Sequence, residues 1–396
     1  MPADRITSIR IKGLRVFKDV ELNLNGLTVL IGDNGTGKST LLEAFELLRR
    51  AATPGNFVVD SLIEAHGPFV DLLQKGARSL HLGVDIEGGG PRIEYAFEVS
   101  LTGPLPEITS EHLRLGDENS RLILNRYNGE FYWFDESRQA NVPISHVPAQ
   151  MLAAAVGAQG LVPNSAFLRL SNVLQGIEYH PPFDVRPIWQ QLQLDRRYGP
   201  RWPSPANHTV HVKRYGQEFP AALLVLRNDQ QAWQRFLDRA RAALGSQLSQ
   251  FSIQPAGSGQ LEVTVHFGAN LTLPLRALSE GQLSFLLMLA TVELGRGRSL
   301  LAFDEPDIHY HPELVVNLVH ILEDVAQSGP IIVATHSDRF LDALASPSES
   351  VVITTLQQDG SVSLVRPNAT QMAPWLERYR GLGSIRAEGY LTQHSR

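Results

Sequence analysis

The sequence contains no cysteine in its 396 residues. That excludes disulfides, thiolate metal sites and cysteine nucleophiles, and it fits a reducing compartment. It has only five lysines, Lys12, Lys18, Lys38, Lys75 and Lys213, so arginine carries most of the positive charge and each lysine draws a question. Long apolar runs are also missing. The richest stretch, Leu283 to Val292, is broken by Ser284 and Thr291 and ends at Glu293, short of the roughly 20 residues that a membrane span needs. The opening residues, with Asp4, Arg5, Arg10 and Lys12, lack the apolar core of a signal peptide, so a cytoplasmic protein with no membrane partner is expected. The net charge of −6 argues against a surface that is polycationic throughout, while leaving room for a local basic patch.

What is present reads as α/β. Ile6–Ile11 and Val20–Leu24 alternate apolar and polar residues, as half-buried strands at the edge of a mixed sheet would. Leu27–Ile31 is instead almost wholly aliphatic and β-branched, the text of a strand buried on both faces. After a glycine-rich turn, Leu41, Leu42, Phe45 and Leu48 recur at helical spacing until Pro54-Gly55 stops the segment. From Ser79 to about Phe134 alternating stretches predict an antiparallel sub-sheet, and the proline- and aromatic-rich text that follows reads as a structured insertion. A helix with Leu226, Trp233, Phe236, Leu237, Ala240 and Leu244 on one stripe is expected next, with Arg235, Arg239 and Arg241 facing away. Leu300–Phe303 and Ile331–Ala334 are further buried strands with a helix from about Pro312 to Gln327 between them, and Asp359-Gly360 marks a closing hairpin.

Gly32-Asp33-Asn34-Gly35-Thr36-Gly37-Lys38-Ser39 follows a buried strand and opens an amphipathic helix, the context that a phosphate-binding loop requires. Glycines let successive N–H groups converge on phosphate oxygens, the helix N-terminus adds a positive dipole, Lys38 reaches the terminal phosphates and the Ser39 hydroxyl ligates magnesium. Asp304-Glu305 ends a buried strand, where ligands of open α/β sheets collect; Asp304 would hold magnesium and Glu305 would orient or deprotonate water. Ser279-Glu280-Gly281-Gln282 combines a capping box with an anion site at a helix N-terminus, and Thr335-His336-Ser337 follows the next strand. Asp307, His309 and His311 do not read as a metal cluster, because no further carboxylates pair with them.

Taken in order, phosphate loop, Leu-Ser-x-Gly-Gln, Asp-Glu-Pro and Thr-His-Ser resemble the ATP-binding-cassette class of ATPase, specifically its non-transporter branch that includes the RecF, SMC and OLD families. Ile9–Phe17, Leu41–Ala44 and Asp304–Pro312 are similar to that branch, and the resemblance covers roughly residues 5–50 and 270–345. It implies a P-loop NTPase fold with an ABC-type head: a mixed core sheet flanked by helices, an antiparallel sub-sheet and an inserted helical lobe. The chain would then be one interrupted domain, with its core from 1–78 and 247–396, the sub-sheet at 79–134 and the insertion and lobe at 135–246. It further implies that Asn34, Gly35, Thr36, Gly37, Lys38, Ser39 and Thr40 cradle ATP, that Asp304 with Ser39 holds Mg2+, and that Glu305 is the catalytic carboxylate with His336 as switch histidine. Ser279 and Gly281 would contact the γ-phosphate bound to a second subunit, so ATP would join a head-to-tail homodimer. Gln74 and Gln175 are the candidates by position for the Q-loop glutamine, and Glu280 departs from many relatives.

Three functions compete. The first is a dimerising switch ATPase in DNA repair or anti-phage defence, with any nuclease or other effector encoded separately. Arg186, Arg196, Arg197, Arg201, Lys213 and Arg214 are candidate contacts to DNA phosphates within it. The alternatives are the cytosolic ATPase subunit of an ABC transporter, which the long insertion and the opening disfavour, and a low-turnover scaffold for a partner protein.

Overall fold

The computed structural model describes residues 3–53, 67–103, 105–117, 120–127, 130–144, 147–156, 164–190, 199–206 and 211–367. Strands β1 (Arg5–Leu14) and β2 (Phe17–Asn23) form a hairpin; β3 (Leu27–Ile31), buried at every residue, leads through the glycine-rich turn into α1 (Lys38–Ala51). A meander follows: β4 (Ser79–Glu87), β5 (Ile93–Ser100), β6 (Glu107–Leu115), β7 (Arg121–Tyr127), β8 (Glu130–Asp135) and β9 (Ala140–Pro143). Next come α2 (Ser165–Gln175) and the short strand β10 (Ile177–His180). The lobe consists of β11 (Ser204–Pro205), α3 (Phe219–Asn228), α4 (Gln230–Leu244), β12 (Leu248–Pro255), β13 (Gln260–Phe267) and β14 (Leu271–Pro274). Helix α5 (Glu280–Leu294), β15 (Leu300–Asp304), α6 (Pro312–Ala326), β16 (Ile331–Ala334) and the hairpin β17 (Val351–Leu356) and β18 (Val362–Val365) complete the described chain.

Three sheets organise these elements. The core sheet runs β10-β15-β16-β3-β17-β18, parallel except for the last pair, so the carboxyl ends of five strands share one edge. One face carries α1 and α2 within the first hydrophobic cluster, which includes Leu30, Ala302 and Ile332. The other carries α5 and α6 within a second cluster that includes Val29, Phe303 and Val333. Helix α5 is apolar all round, and every residue from Leu283 to Glu293 is buried.

Several expectations change. Strands β1 and β2 are not edges of the core sheet: Ile9 pairs with Leu22 on one side and Val84 on the other, so they open an eight-stranded antiparallel sheet that runs on to β9, beyond the expected limits of 79 and 134. The insertion expected over 135–246 contains a core element, since β10 pairs in parallel with β15 through Ile177↔Leu300 to His180↔Phe303. Residues 247–274, expected to be core, build the lobe's own sheet. The single helix expected through Leu226 and Leu244 is two, because Asp229 ends α3 in an extended conformation and caps α4 through the amides of Gln231 and Ala232. The stop at Pro54-Gly55 lies outside the described residues.

The arginines of α4 do not all face solvent. Arg235 Nε and Arg239 Nη1 approach the Glu293 carboxylate of α5 at 2.8 and 2.6 Å, and Arg296 Nε adds a contact at 3.1 Å; the Glu293 side chain is 0% exposed. Three cations around one buried carboxylate lock the lobe helix to the core helix. Removing the anion leaves three partly exposed guanidinium groups around a neutral amide, with Asp324 still pairing Arg239 and Arg296. Glu293→Gln should therefore destabilise the protein by about 1–3 kcal/mol, read as a lower urea midpoint than that of an exposed control such as Glu136→Gln.

Candidate functional site

The glycine-rich loop leaves β3 at Ile31 and is held from two sides. Thr36 Oγ1 donates to Asp33 O at 2.7 Å or shares a 2.6 Å bond with Thr354 Oγ1 of β17, whose hydroxyl also reaches Ile31 O at 3.0 Å. Gly32 is glycine for a steric reason: a Cβ there would lie 2.2 Å from Thr354 Oγ1. Gly37 has φ 82° and a Cβ would meet Val16 and Phe17 of the β1–β2 hairpin at 2.7 and 2.9 Å. Helix α1 has no side-chain cap, so its first amides face into the loop. Lys38 folds back and its Nζ donates to Gly32 O and Asp33 O at 3.0 Å each, placing an ammonium inside the curl. Beside the loop a cavity of about 900 Å³, lined by Asp33, Asn34, Thr36 and the β17–β18 hairpin, has room for a nucleoside.

The parallel register brings the second group of candidates to the same level. Asp304 pairs with Ala334, which in turn pairs with Leu30, so the exits of β15, β16 and β3 are side by side. The Ser39 hydroxyl at the start of α1 hydrogen-bonds to Asp304. Burial pushes the Asp304 carboxyl above its usual range; the neighbouring Glu305 adds to this, while Ser39, Lys38 and His336 oppose it. A hydroxyl and a reluctantly charged carboxylate beside a lysine suit a hard cation with oxygen ligands. Glu305 takes a left-handed conformation at φ 46°, held by its N–H to Ala334 O at 2.8 Å, and its Oε1 lies 3.4 Å from His336 Nε2. Thr335 donates to Asp307 at 2.9 Å, tying the His336 turn to the segment after Glu305. Lys38, Ser39, Asp304, Glu305 and His336 thus converge in one protomer.

Among the described residues no hydrogen bond joins Ser279 or Gly281 to that group. Ser279 and Gln282 form the reciprocal capping box at 3.2 and 3.1 Å, and a Cβ on Gly281 would come within 2.8 Å of His309 O. Glu280, the unusual residue of this turn, lies 3.4 Å from His309 Nδ1, which gives that histidine a partner other than a metal. Among the described residues no cluster of three or more histidine or acidic side chains could hold a metal ion.

Other candidates disperse. Gln175 ends α2 and donates to Ser171 at 2.8 Å, at the amino end of β10 and away from the edge that carries the site. The Gln74 backbone N–H donates to Gly13 O beside the β1–β2 turn. Of the basic cluster, Arg201 is buried and donates to Val185 O, Arg276 O and Leu278 O, bracing the turn before Ser279. Arg186 is paired with Asp184 at 2.7 Å and Lys213 lies 4.0 Å from Glu218. Arg196 and Arg197 lie outside the described residues. Among the described residues of this cluster, carbonyls or carboxylates partner Arg186, Arg201 and Lys213. Missed by sequence reasoning was Tyr179 on β10, next to the Asp304 strand and covered by Arg214, because no motif marks either residue.

A family model described as "AAA domain, putative AbiEii toxin, Type IV TA system" matches residues 27–342, which contain the loop, Asp304, Glu305 and His336. The chain belongs to this AAA-domain family. Among curated proteins, Protein ea59 of Escherichia phage lambda is 30% identical over 105 residues, covering 26% of this chain and 19% of that protein. The chain therefore matches only about a fifth of that relative's length. In fold it is similar to an Smc head bound to the C-terminal winged-helix domain of ScpA, with TM-score 0.56, 13% identity and coverage of 93% of this chain and 99% of the other. A Pyrococcus furiosus-derived Smc head complex with the C-terminal domain of ScpA gives TM-score 0.50, 14% identity and coverage of 95% and 100%. The AAA-domain chain is thus a P-loop ATPase-type fold of the SMC-head kind, as its motifs imply. Among the described residues no helix is long and apolar enough to cross a membrane.

Burial of Asp304 has a stability consequence with a definite sign. A carboxyl whose folded pKa lies above its unfolded value binds its proton more tightly when folded, so stability falls as pH rises from the unfolded toward the folded pKa and stays reduced above it. Asp304→Asn should raise the melting temperature of the metal-free protein at pH 7, with the gain vanishing at low pH where wild-type Asp304 is protonated. An unchanged or lower melting temperature at pH 7 would contradict this.

Proposed function

We propose that the chain is an ATP-hydrolysing switch whose two composite sites form in a head-to-tail homodimer. In this reading Asn34, Gly35, Thr36, Gly37, Lys38, Ser39 and Thr40 bind the phosphates of ATP, and Ser39 and Asp304 hold Mg2+. The bound metal would neutralise charge on the transferring phosphoryl group. Glu305 orients and accepts a proton from the attacking water, and His336, within 3.4 Å of it, faces the terminal phosphate. Ser279 and Gly281 complete the site of a second copy.

The observation that carries the proposal is the division of labour between these groups. The loop, Asp304, Glu305 and His336 converge, whereas the capped turn Ser279–Gly281 makes its contacts with Gln282 and His309. A capped helix start that makes no hydrogen bond to its own loop is free to serve the loop of a second copy. The biological setting we favour is genome conflict. The family's toxin–antitoxin description supports anti-phage defence over repair or transport, and the Smc heads solved with ScpA domains support an effector supplied as a separate chain. The carbonyl and carboxylate partners of Arg201, Arg186 and Lys213, among the described residues, favour a protein partner over direct DNA binding through these side chains.

Glu305→Gln should bind ATP without releasing phosphate and should shift to a dimer in light-scattering chromatography with Mg-ATP. Ser279→Arg in the same background should bind ATP but stay monomeric. A mass independent of ATP in Glu305→Gln would sink the composite site. Lys38→Ala should weaken ATP binding at least about a hundredfold, the loss of a charge-assisted contact worth about 3 kcal/mol; retained binding would remove the loop from the site.

A further inference from the structure

Strand β10 is the edge of the core sheet, beside the strand that ends in Asp304. Partners in a parallel pair share a face, so the register Tyr179↔Ala302 places Tyr179 on the face of Ala302, and Asp304, two residues further along, on that face too. This is the face covered by α1. Glu178 and His180 take the opposite face, where His180 stacks on Phe303 with centroids 5.6 Å apart. Tyr179 therefore lies between the Asp304 strand and the helix that begins with Lys38 and Ser39.

Arg214 reaches it from the turn before α3. Its Cζ is 4.7 Å from the Tyr179 ring centroid and 5.6 Å from that of Tyr215, and its Nη1 is 3.8 Å from Glu46 Oε1 on α1. Its Nε is buried with no hydrogen-bond partner, so this guanidinium has donor capacity to spare in the cavity that it lines with Glu46 and Tyr179. One side chain from the lobe thus touches the edge strand and the loop helix together. Burial pushes the Tyr179 phenol up to about 12, helped by the charge of Asp304 and opposed by Arg214. A guanidinium can only donate, so a phenol oxygen facing Arg214 keeps its own O–H for a carboxylate, and Asp304 shares its face of the sheet on the adjacent strand. At the carboxyl end of β10 the chain runs Pro181-Pro182, and no glutamine stands there.

We propose that Tyr179 and Arg214 are positioning residues for the Asp304 carboxylate: Arg214, carried by the turn that leads into the lobe, holds the Tyr179 phenol toward Asp304 and so makes the metal site sensitive to the lobe's position. The proposal rests on Asp304 being the metal carboxylate.

The test uses the full chain and two binding measurements that need no turnover. Affinity for a fluorescent ADP analogue is measured without metal, and Mn2+ affinity in the presence of ADP is measured by electron paramagnetic resonance. Tyr179→Phe and Arg214→Ala should leave metal-free nucleotide affinity unchanged and each weaken Mn2+ binding about tenfold, the usual scale for removing a group that orients a metal ligand. The double variant should be no weaker than either single one, because the two act as one unit. Arg214→Lys should not rescue, since an ammonium lacks the planar fork that stacks and donates at once. Wild-type Mn2+ affinity in Tyr179→Phe, or additive losses in the double variant, would overturn the proposal. If Arg214→Ala does not fold, Tyr179→Phe decides alone, since it keeps the ring on which Arg214 stacks. Asp304→Asn separates the two levels: if it retains Mn2+ affinity, the metal reading itself fails, whereas loss there with wild-type behaviour in Tyr179→Phe rejects only the role of the pair.

Discussion

The parallel register of β15, β16 and β3 is the constraint on which the rest depends. Asp304, Ala334 and Leu30 are neighbours across three strands, and that level is where the chain leaves each strand to make a functional turn. A slip of one residue in β15 would turn Asp304 to the opposite face and separate it from Ser39. The register is protected by burial on both faces. Val29, Phe303 and Val333 enter one cluster and Leu30, Ala302 and Ile332 the other, so no alternative pairing keeps both cores filled. At about 1.5–3 kcal/mol for each large apolar side chain, these strands supply the stability that the site spends.

The site spends it in identifiable ways. Glu305 sits at φ 46°, where a non-glycine residue is strained by about 1–3 kcal/mol. Asp304 is held against its preference to be solvated, and the α1 amides lack a side-chain cap. The last two of these costs are relieved by a ligand that is anionic at the helix start and cationic at the carboxylate. A site organised this way gains stability on binding in the same groups that would act in chemistry, which suits a switch whose state is set by its nucleotide.

Legibility in the sequence followed burial. Leu27–Ile31, Leu300–Phe303 and Ile331–Ala334 announced themselves because strands buried on both faces are continuous apolar runs, and the glycine-rich loop announced itself because its backbone needs particular residues. Strand β10 stayed hidden because an edge strand need not be apolar: Glu178, Tyr179 and His180 outnumber Ile177. The hairpin β1–β2 was recognised as strands yet assigned to the wrong sheet, since alternation records one buried face but not which sheet supplies it. Arg235 and Arg239 looked like a solvated helix face because a spacing rule does not know that Glu293, far along the chain, is buried opposite them.

The scarcity of lysine takes on a different meaning beside the arginines. Lys38, a compact charge on a flexible stem, sits within the curl of the loop on two carbonyl oxygens, a job that a planar fork could not do without spreading the turn. Arginine does the opposite work throughout the molecule, bridging elements with its several donors: Arg239 and Arg296 between α4, α5 and α6, Arg201 between the insertion and the turn before Ser279, and Arg214 between α1 and β10. Both Arg201 and Arg214 come from the segment read from sequence as a basic insertion, and both end on the framework of the site. These two cations of that segment are therefore directed inward. Their physical effect is to tie the lobe to the turn before Ser279 and to α1 and β10, which frame the candidate site.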